Sequence, residues 1–497
     1  MGIEPERQGW QGWGQRGNRP AAQRRLDRTR LPGLLCGVAC LFWISWFSWP
    51  VGAQELTAGG VGNPLTFSAA FDLLTRQNER LAAERQLLGQ AQAEWEQARG
   101  RRLPELGVSA GYVRLQDPIA IDLAPVRRIL QQIDPQLPLG NLPGDIEVQK
   151  RELFSSSATL RWPVYTGGRI TAGIDAAEAA RSASQAGFES AEGSLRLSLV
   201  ERYFAQVLAV RAHQVRVATV ETLEDHLRRS RRLYEEGQIA RAEVLRAEVA
   251  LSEARVEQES ARHDLELARS ALAALLASDE GFEVVTLLPA PPALPLLEPL
   301  LSTALGSNPD LRAAREQHAR AEAGVRAARG ERLPTVAVFG QRELYTRHLD
   351  LFSSEWIAGV TVSWSLFGGG DHRSRIDAAR LRADEVSYRL AAGQRDLELL
   401  IRQRHNRLAD ALSRLQSFDT LRALAEESLR AQRRAFEEGF ASSLDVVDAE
   451  LALQRVELGT LAANYDSLVA LSGLYEAAGQ SARMGALFAG GNGQEQL

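Results

Sequence analysis

Two aspartates, Asp445 and Asp448, form the pair whose type and spacing most directly suggest a chemical role. Residues three apart on a helix lie on one face, so the two carboxylates would point the same way. An acid in the first turn of a helix interacts favourably with the helix dipole, and this is the role that the residues alone indicate for Asp445.

Other chemistry is not predicted. The histidines are scattered, with no pair at the spacing of helical metal ligands, so neither a metal site nor a Ser-His-acid arrangement is indicated. The glycine run at 368–370 lacks the Lys-Ser/Thr of a phosphate loop, and we interpret it as the bend between a strand and a helix. We therefore expect no enzymatic activity, no cofactor and no metal.

The elements that would position these aspartates are duplicated. The stretch Leu160 to Arg181 returns at Val362 to Leu381 with an offset of 202 residues. Upstream, Leu103-Pro104 returns as Leu333-Pro334 at an offset of 230, so the first copy carries about 28 extra residues. The residues that match at the first offset include Trp162 with Trp364, Gly167-Gly168 with Gly369-Gly370, and Glu235-Glu236-Gly237 with Glu437-Glu438-Gly439.

Gaps between prolines predict very long helices. No proline lies between Pro64 and Pro104, between Pro163 and Pro289, or after Pro334, and a proline inside a helix costs about 3 kcal/mol. The first copy is predicted to contain helices from the N-cap Thr66 to about Gly100, from near Gly168 to Gly237, and from about Arg241 to Leu276. The second copy repeats the plan with helices at Ser302 to Gly330, Arg375 to Glu438, and Leu444 to about Ala478.

Two segments, Phe154 to Val164 and Trp356 to Leu366, alternate between apolar and polar residues, as a transmembrane β-strand requires. A soluble hairpin could alternate similarly. Each has a shorter apolar strand before it, which gives four strands; four cannot close a barrel, and an open edge in lipid is not viable. Several subunits must then share one barrel. The residues predicted to face lipid are Phe154, Leu160, Trp162, Trp356, Val360, Val362 and Trp364.

The N-terminal 53 residues contain arginines, then an apolar run from Leu34 to Trp49, then the small residues Val51-Gly52-Ala53. This order predicts a secretory signal peptide behind a polar leader; a retained inner-membrane anchor is the alternative. Both cysteines, Cys36 and Cys40, lie in this segment, so disulfides are not expected in the mature chain. The remaining chain is net negative, which argues against a nucleic-acid partner.

The chain resembles the TolC-like outer-membrane efflux proteins over about residues 60 to 480. The resemblance is carried by the duplicated order of elements, by the strand exits at 162–168 and 364–370, and by the glycine turns at Gly237 and Gly439. It implies an α+β membrane protein in which a duplicated long-helix α-barrel continues into a transmembrane β-barrel, shared by a homotrimer with four strands from each subunit. It also implies outer-membrane lipid, a periplasmic adaptor, and an inner-membrane pump or ABC exporter as partners.

The same resemblance assigns roles to the two helical turns. It implies that they form the periplasmic entrance, with Asp445 and Asp448 around the constriction and Glu243 beside them. Phe436 and Ala441 stand where the family's gate carries a tyrosine and an arginine, so this entrance must be held shut differently. The residues expected to dock the adaptor are Gly237, Gln238, Ile239, Gly439, Phe440 and Ala441.

The domain plan predicted from these features has five parts. They are a signal peptide with its leader at 1–53, a first repeat at 54–280 with an extracellular insertion at about 116–150, a linker at 281–297, a second repeat at 298–480, and a tail at 481–497. The leading hypothesis is an outer-membrane exit duct of a tripartite efflux pump or a type I secretion system. The alternative is a periplasmic coiled-coil scaffold or adaptor held by an N-terminal inner-membrane anchor.

Overall fold

A computed structural model describes residues 63–136, 138, 144–279, 281–349 and 355–489. The predicted signal peptide lies outside these residues. In the first repeat the helices are α1 (Phe67–Gln77), α2 (Glu79–Gly100), α3 (Ala124–Ile133), α4 (Arg169–Glu235) and α5 (Arg241–Leu275). In the second they are α6 (Leu297–Ser307), α7 (Pro309–Gly330), α8 (Asp371–Glu437), α9 (Ser443–Ala477) and α10 (Ala482–Ala489).

The long helices confirm the duplication. The helices α4 and α8 have 67 residues each and α5 and α9 have 35 each, so α4 and α8 are each about 100 Å long. Both long helices begin after a pair of glycines with positive φ, Gly167-Gly168 and Gly369-Gly370. Only glycine adopts this conformation without strain, which explains why the pair is repeated where each strand meets its helix.

The first helix of each repeat was predicted to be continuous. This prediction was wrong in both repeats, because the helix is divided in two at an asparagine. The chain breaks at Asn78 between α1 and α2, and at Asn308 between α6 and α7. Each asparagine caps the helix that follows it, accepting from the backbone N–H of Leu81 or Leu311. Each side-chain amide also donates to the end of a return helix, to the Leu275 carbonyl at 3.0 Å or to the Ala477 carbonyl at 2.9 Å.

Four strands form one antiparallel sheet in the order β2 (Glu105–Arg114), β4 (Asp145–Tyr165), β6 (Thr335–Leu349) and β7 (Trp356–Ser363). The register places Leu160 between Leu106 and Gly340, and pairs Trp162 with Val338. The predicted apolar residues therefore share one face, while Thr159, Arg161 and Gln341 lie on the other. The strand β7 ends three residues earlier than predicted, so Trp364 follows the strand instead of lying within it.

The insertion in the first repeat prolongs this sheet. A short strand, β3 (Ile119–Asp122), pairs with the early part of β4, and α3 lies between them. The helix α3 begins at Ala124, with Pro125 in its first turn. Its apolar side chains Val126, Ile129 and Ile133 are at least half exposed.

A small parallel ribbon was not predicted from the sequence. It pairs β1 (Asn63–Leu65) with β5 (Phe282–Val284), which joins the start of the first repeat to the linker. The ribbon is fastened by Tyr203 on α4, whose hydroxyl donates to the Leu65 carbonyl at 2.7 Å. Around it lies an aromatic cluster in which Phe67, Tyr203, Phe204 and Phe488 of α10 pack together. The predicted tail therefore begins with a helix that contributes to the core.

Candidate functional site

The two turns at the ends of α4 and α8 have the same construction. Gly237 and Gly439 have φ angles of +74° and +79°. The next N–H in each turn closes back on the helix, from Gln238 to the Leu233 carbonyl and from Phe440 to the Ala435 carbonyl, at 2.8 and 2.7 Å. This is the hydrogen bond of a Schellman helix end. The expected docking residues lie at these tips, where the Phe440 side chain is 84% exposed.

Asp445 is engaged at the start of α9. Ser442 caps that helix, and the Asp445 carboxylate accepts from the Ser442 backbone N–H at 2.8 Å and from its hydroxyl at 2.7 Å, which completes a capping box. These bonds hold the pKa of Asp445 below its ordinary value. Asp448 is also exposed, one turn further along α9. The two carboxylates therefore share an open face, as their spacing predicts, and Asp445 also has the capping role.

Glu243 connects the two repeats. It lies in the first turn of α5, and one of its carboxylate oxygens accepts from the backbone N–H of Ser443 at 2.9 Å. The other oxygen accepts from Arg246 at 2.7 Å. Because the Ser443 N–H is one of the unpaired donors at the start of α9, Glu243 stabilises the helix of the other repeat.

Phe436 is buried beside a histidine that the sequence did not single out. The rings of Phe436 and His226 lie 4.9 Å apart, and His226 Nε2 shares a 2.7 Å hydrogen bond with the Ser443 hydroxyl. Burial lowers the pKa of His226 to about 4, and Arg229 and Arg433 add smaller contributions in the same direction. Glu243 has the opposite effect and raises the pKa. A neutral imidazole therefore joins α4 to α8 and α9, beside the Phe436 ring.

Two ion pairs surround this cluster. Arg229 on α4 pairs with Glu437 on α8 at 3.1 Å, and both are half exposed. Arg433 on α8 pairs with Glu450 on α9 at 2.8 Å, and Glu450 is 7% exposed. Burial is the largest influence on the pKa of Glu450 and raises it, while Arg433 opposes the rise. The turns are thus held by a buried polar cluster and a partly buried ion pair, and no sequence motif marked either.

The two tryptophans at the strand exits make equivalent hydrogen bonds. Trp162 Nε1 donates to the Arg102 carbonyl at 3.1 Å, and Trp364 Nε1 donates to the Arg332 carbonyl at 3.0 Å. Their rings are 44% and 57% exposed. An exposed ring with a satisfied N–H suits the boundary between apolar and aqueous surroundings. Each also ties the end of the sheet to the turn after α2 or α7.

The apolar face of the sheet is exposed in the single chain. Trp356, Val360 and Val362 are 63 to 67% exposed, and Phe154 and Leu160 about 40%. The opposite face carries hydroxyl, amide and charged groups and borders a cavity of about 430 Å³ lined by Thr159, Arg161 and Gln341 among others. This contrast is typical of a strand set with lipid on one side and water on the other.

Within the ranges that the structure describes, no helix is apolar and long enough for a membrane span. Those same residues contain no group of His, Cys, Asp or Glu side chains placed to hold a metal ion.

The sheet, the long paired helices and the turns define an outer-membrane channel fold. The family described as "Outer membrane efflux protein" matches residues 71–278 and 300–480, and the chain belongs to this family. The predicted family and fold class are thereby confirmed. The protein is an outer-membrane efflux channel that extends into the periplasm, and its family consists of transport proteins, not enzymes.

Relatives with descriptive names agree with this assignment. The chain is 26% identical over 330 residues to the cobalt-zinc-cadmium resistance protein CzcC of Cupriavidus metallidurans. This match covers 65% of this chain and 77% of CzcC. It is 24% identical over 301 residues to the alkaline protease secretion protein AprF of Pseudomonas aeruginosa, covering 57% and 61% of the two chains. Among solved structures, the outer-membrane channel OprN has a TM-score of 0.71 at 20% identity, with 83% of this chain and 90% of that one covered.

Proposed function

We propose that three copies of this chain form one exit duct, the outer-membrane part of a tripartite efflux pump or a type I secretion system. The observation that carries this proposal is the sheet of four main strands, which ends at β2 on one side and β7 on the other. A sheet with an apolar outer face cannot leave those edges unpaired in lipid. Three copies would supply twelve main strands, enough to close a barrel.

The partners follow from the position of the turns. We propose that a periplasmic adaptor contacts the exposed tips at Gly237 to Ile239 and Gly439 to Ala441, and that an inner-membrane pump or ABC exporter completes the assembly. The names of CzcC and AprF refer to metal resistance and to protease secretion. Relatives thus span both kinds of export, and the substrate of this chain follows from the pump that it joins.

The first test is the assembly itself. A trimer in detergent that gives stepwise ion conductance in planar bilayers is expected, because twelve strands would enclose a water-filled pore. A stable monomer without conductance would refute the proposal.

The insertion at 116–150 is proposed to lie partly over the external mouth of the barrel. Removing these residues should leave the trimer intact, since the insertion only prolongs the sheet at the end away from the long helices.

The entrance is tested at its two aspartates. In a trimer, Asp445 and Asp448 would place six carboxylates near the axis, so Asp445→Asn with Asp448→Asn should reduce cation selectivity and weaken block by divalent cations. Asparagine at 445 can still accept from the Ser442 N–H, which keeps the helix cap. Unchanged reversal potentials in asymmetric salt would show that these carboxylates lie away from the constriction.

The closed state is tested at Phe436. Its side chain is 3% exposed and lies against His226. Phe436→Ala should cost about 3 to 5 kcal/mol of local packing and increase the time that the channel spends open. Phe440→Ala is a matched control, because that residue lies at the same turn and is 84% exposed.

A further inference from the structure

A second potential site lies far from the turns, among the helices nearer the sheet. A half-open cavity of about 860 Å³ lies between α2, α4 and α7, with the end of α6 at its margin. This volume is within the range of small-molecule pockets, about 300 to 1,000 Å³. Four arginines line the cavity, Arg85, Arg181, Arg312 and Arg315, against one acidic side chain, Glu316.

The four arginines are only partly neutralised. Arg312 pairs with Glu189, and Arg315 donates to the Leu305 carbonyl. Among the residues that the structure describes, Arg85, Arg181 and Arg315 form no ion pair with a carboxylate. Three guanidinium groups without a carboxylate partner therefore line one space, and an anion bound there would reduce their mutual repulsion.

The two least neutralised arginines are held in place by aromatic rings. Arg85 lies 5.8 Å from the centroid of the Phe188 ring. Arg181 lies 4.6 Å from the Trp95 ring and also donates to the Gln92 side-chain oxygen at 3.3 Å. These contacts orient the guanidinium groups without neutralising them. These contacts restrain two of the arginines that line the cavity before any ligand arrives.

Two buried groups in this region lack a hydrogen-bond partner, and both are hydrogen-bond donors. The Nε of Arg312 and the indole Nε1 of Trp95 are buried without a hydrogen-bond partner. Neither group can accept a hydrogen bond, so what is missing is an acceptor. Buried donors without partners are costly and rare in folded proteins. Arg312 lines the positively charged cavity, and Trp95 lies against Arg181, which also lines it.

We propose that this cavity binds a small, multiply charged anion through carboxylate or phosphate oxygens, with Arg85 and Arg181 as the main contacts. Guanidinium groups bind such oxygens in pairs of parallel hydrogen bonds. The lining residues named here belong to α2, α4, α6 and α7 of a single subunit. The site is separate from the proposed export function, and either can fail without the other.

The test is titration of the full-length protein in detergent with citrate at low ionic strength, followed by tryptophan emission. Saturable binding is expected, and the double variant Arg85→Gln with Arg181→Gln should weaken it about tenfold or more, because charged hydrogen bonds are lost. Arg320→Gln is the matched control, since Arg320 is exposed on α7 outside the cavity. It should bind citrate as the unaltered protein does.

A gain in affinity provides the second measurement. Glu316→Gln removes the one acid that lines the cavity and should tighten citrate binding, an effect that loss of folding cannot mimic. Trp95→Phe should abolish most of the emission change while leaving affinity within a few-fold by calorimetry. Absence of saturable binding would overturn the proposal, as would equal weakening by the Arg320 control or no gain from Glu316→Gln.

Discussion

Acidification should loosen the two turns through His226. The imidazole is neutral where it contacts Phe436 and Ser443, with a pKa of about 4 against an ordinary value of 6.5. An opened turn would expose the ring and let it take up a proton more readily. The closed arrangement, in which His226 contacts Phe436 and Ser443, therefore has its full stability above about pH 6.5. Its stability falls as the pH decreases and changes little below about pH 4.

The size of the effect follows from the two pKa values. Acidification from pH 7 to pH 5 should weaken the closed arrangement by about 2 kcal/mol per subunit, and acidification to pH 4 by about 3 kcal/mol. The first figure corresponds to about a 30-fold increase in the opening equilibrium. Burial of the ring is the main cause of the low pKa of His226. Arg229 and Arg433 also oppose protonation, whereas Glu243 favours it.

The assay is hydrogen exchange of peptides that cover both turns, corrected for the intrinsic effect of pH, between pH 7 and pH 4.5. His226→Gln keeps a group that can bond to Ser443 but does not titrate, so it should remove most of the pH dependence. His263→Gln is the matched control, because His263 is exposed on α5. Open probability in bilayers over the same pH range should change in parallel.

A different titrating group would give a different pattern. Hydrogen bonds from Ser442 hold the pKa of Asp445 below 3.8 within one subunit, so that carboxylate should not titrate between pH 5 and pH 7. If His226→Gln retained the full pH dependence while Asp445→Asn with Asp448→Asn abolished it, repulsion among the aspartates would be the cause. The reasoning about the buried histidine would then be wrong.

Two further predictions concern the repeated joints. Asn308→Ala removes a helix cap and the hydrogen bond to the Ala477 carbonyl, so it should lower the free energy of unfolding by about 1 to 3 kcal/mol. Denaturation in detergent measures this change. Asn406→Ala is the control, because Asn406 is exposed, and it should have little effect. Gly167→Ala should destabilise by several kcal/mol more than Gly168→Ala, because both have positive φ but only a Cβ at 167 would collide with the Gly330 carbonyl. Equal melting temperatures for the two glycine variants would contradict the second prediction.

The sequence by itself determined the repeated architecture. Proline gaps and glycine pairs mark α4 to within about two residues, whereas α8 begins four residues earlier than predicted, at Asp371. Both signals work because proline and positive φ act locally on the backbone. Alternation in 154–164 likewise indicated the apolar face of the sheet. These signals depend on neighbouring residues along the chain, so one sequence is enough to read them.

Tertiary structure alone decided how distant segments hold each other. Asn78 and Asn308 end their helices because return helices nearly 200 and 170 residues away supply carbonyls within reach. His226 seemed isolated along the chain, yet Phe436 and Ser443 surround it since α4, α8 and α9 pack side by side. The arginine-lined cavity is likewise formed by helices that are far apart in sequence, mainly α2, α4 and α7. Long-range packing sets burial and hydrogen-bond partners, and those in turn set the pKa and role of each polar group.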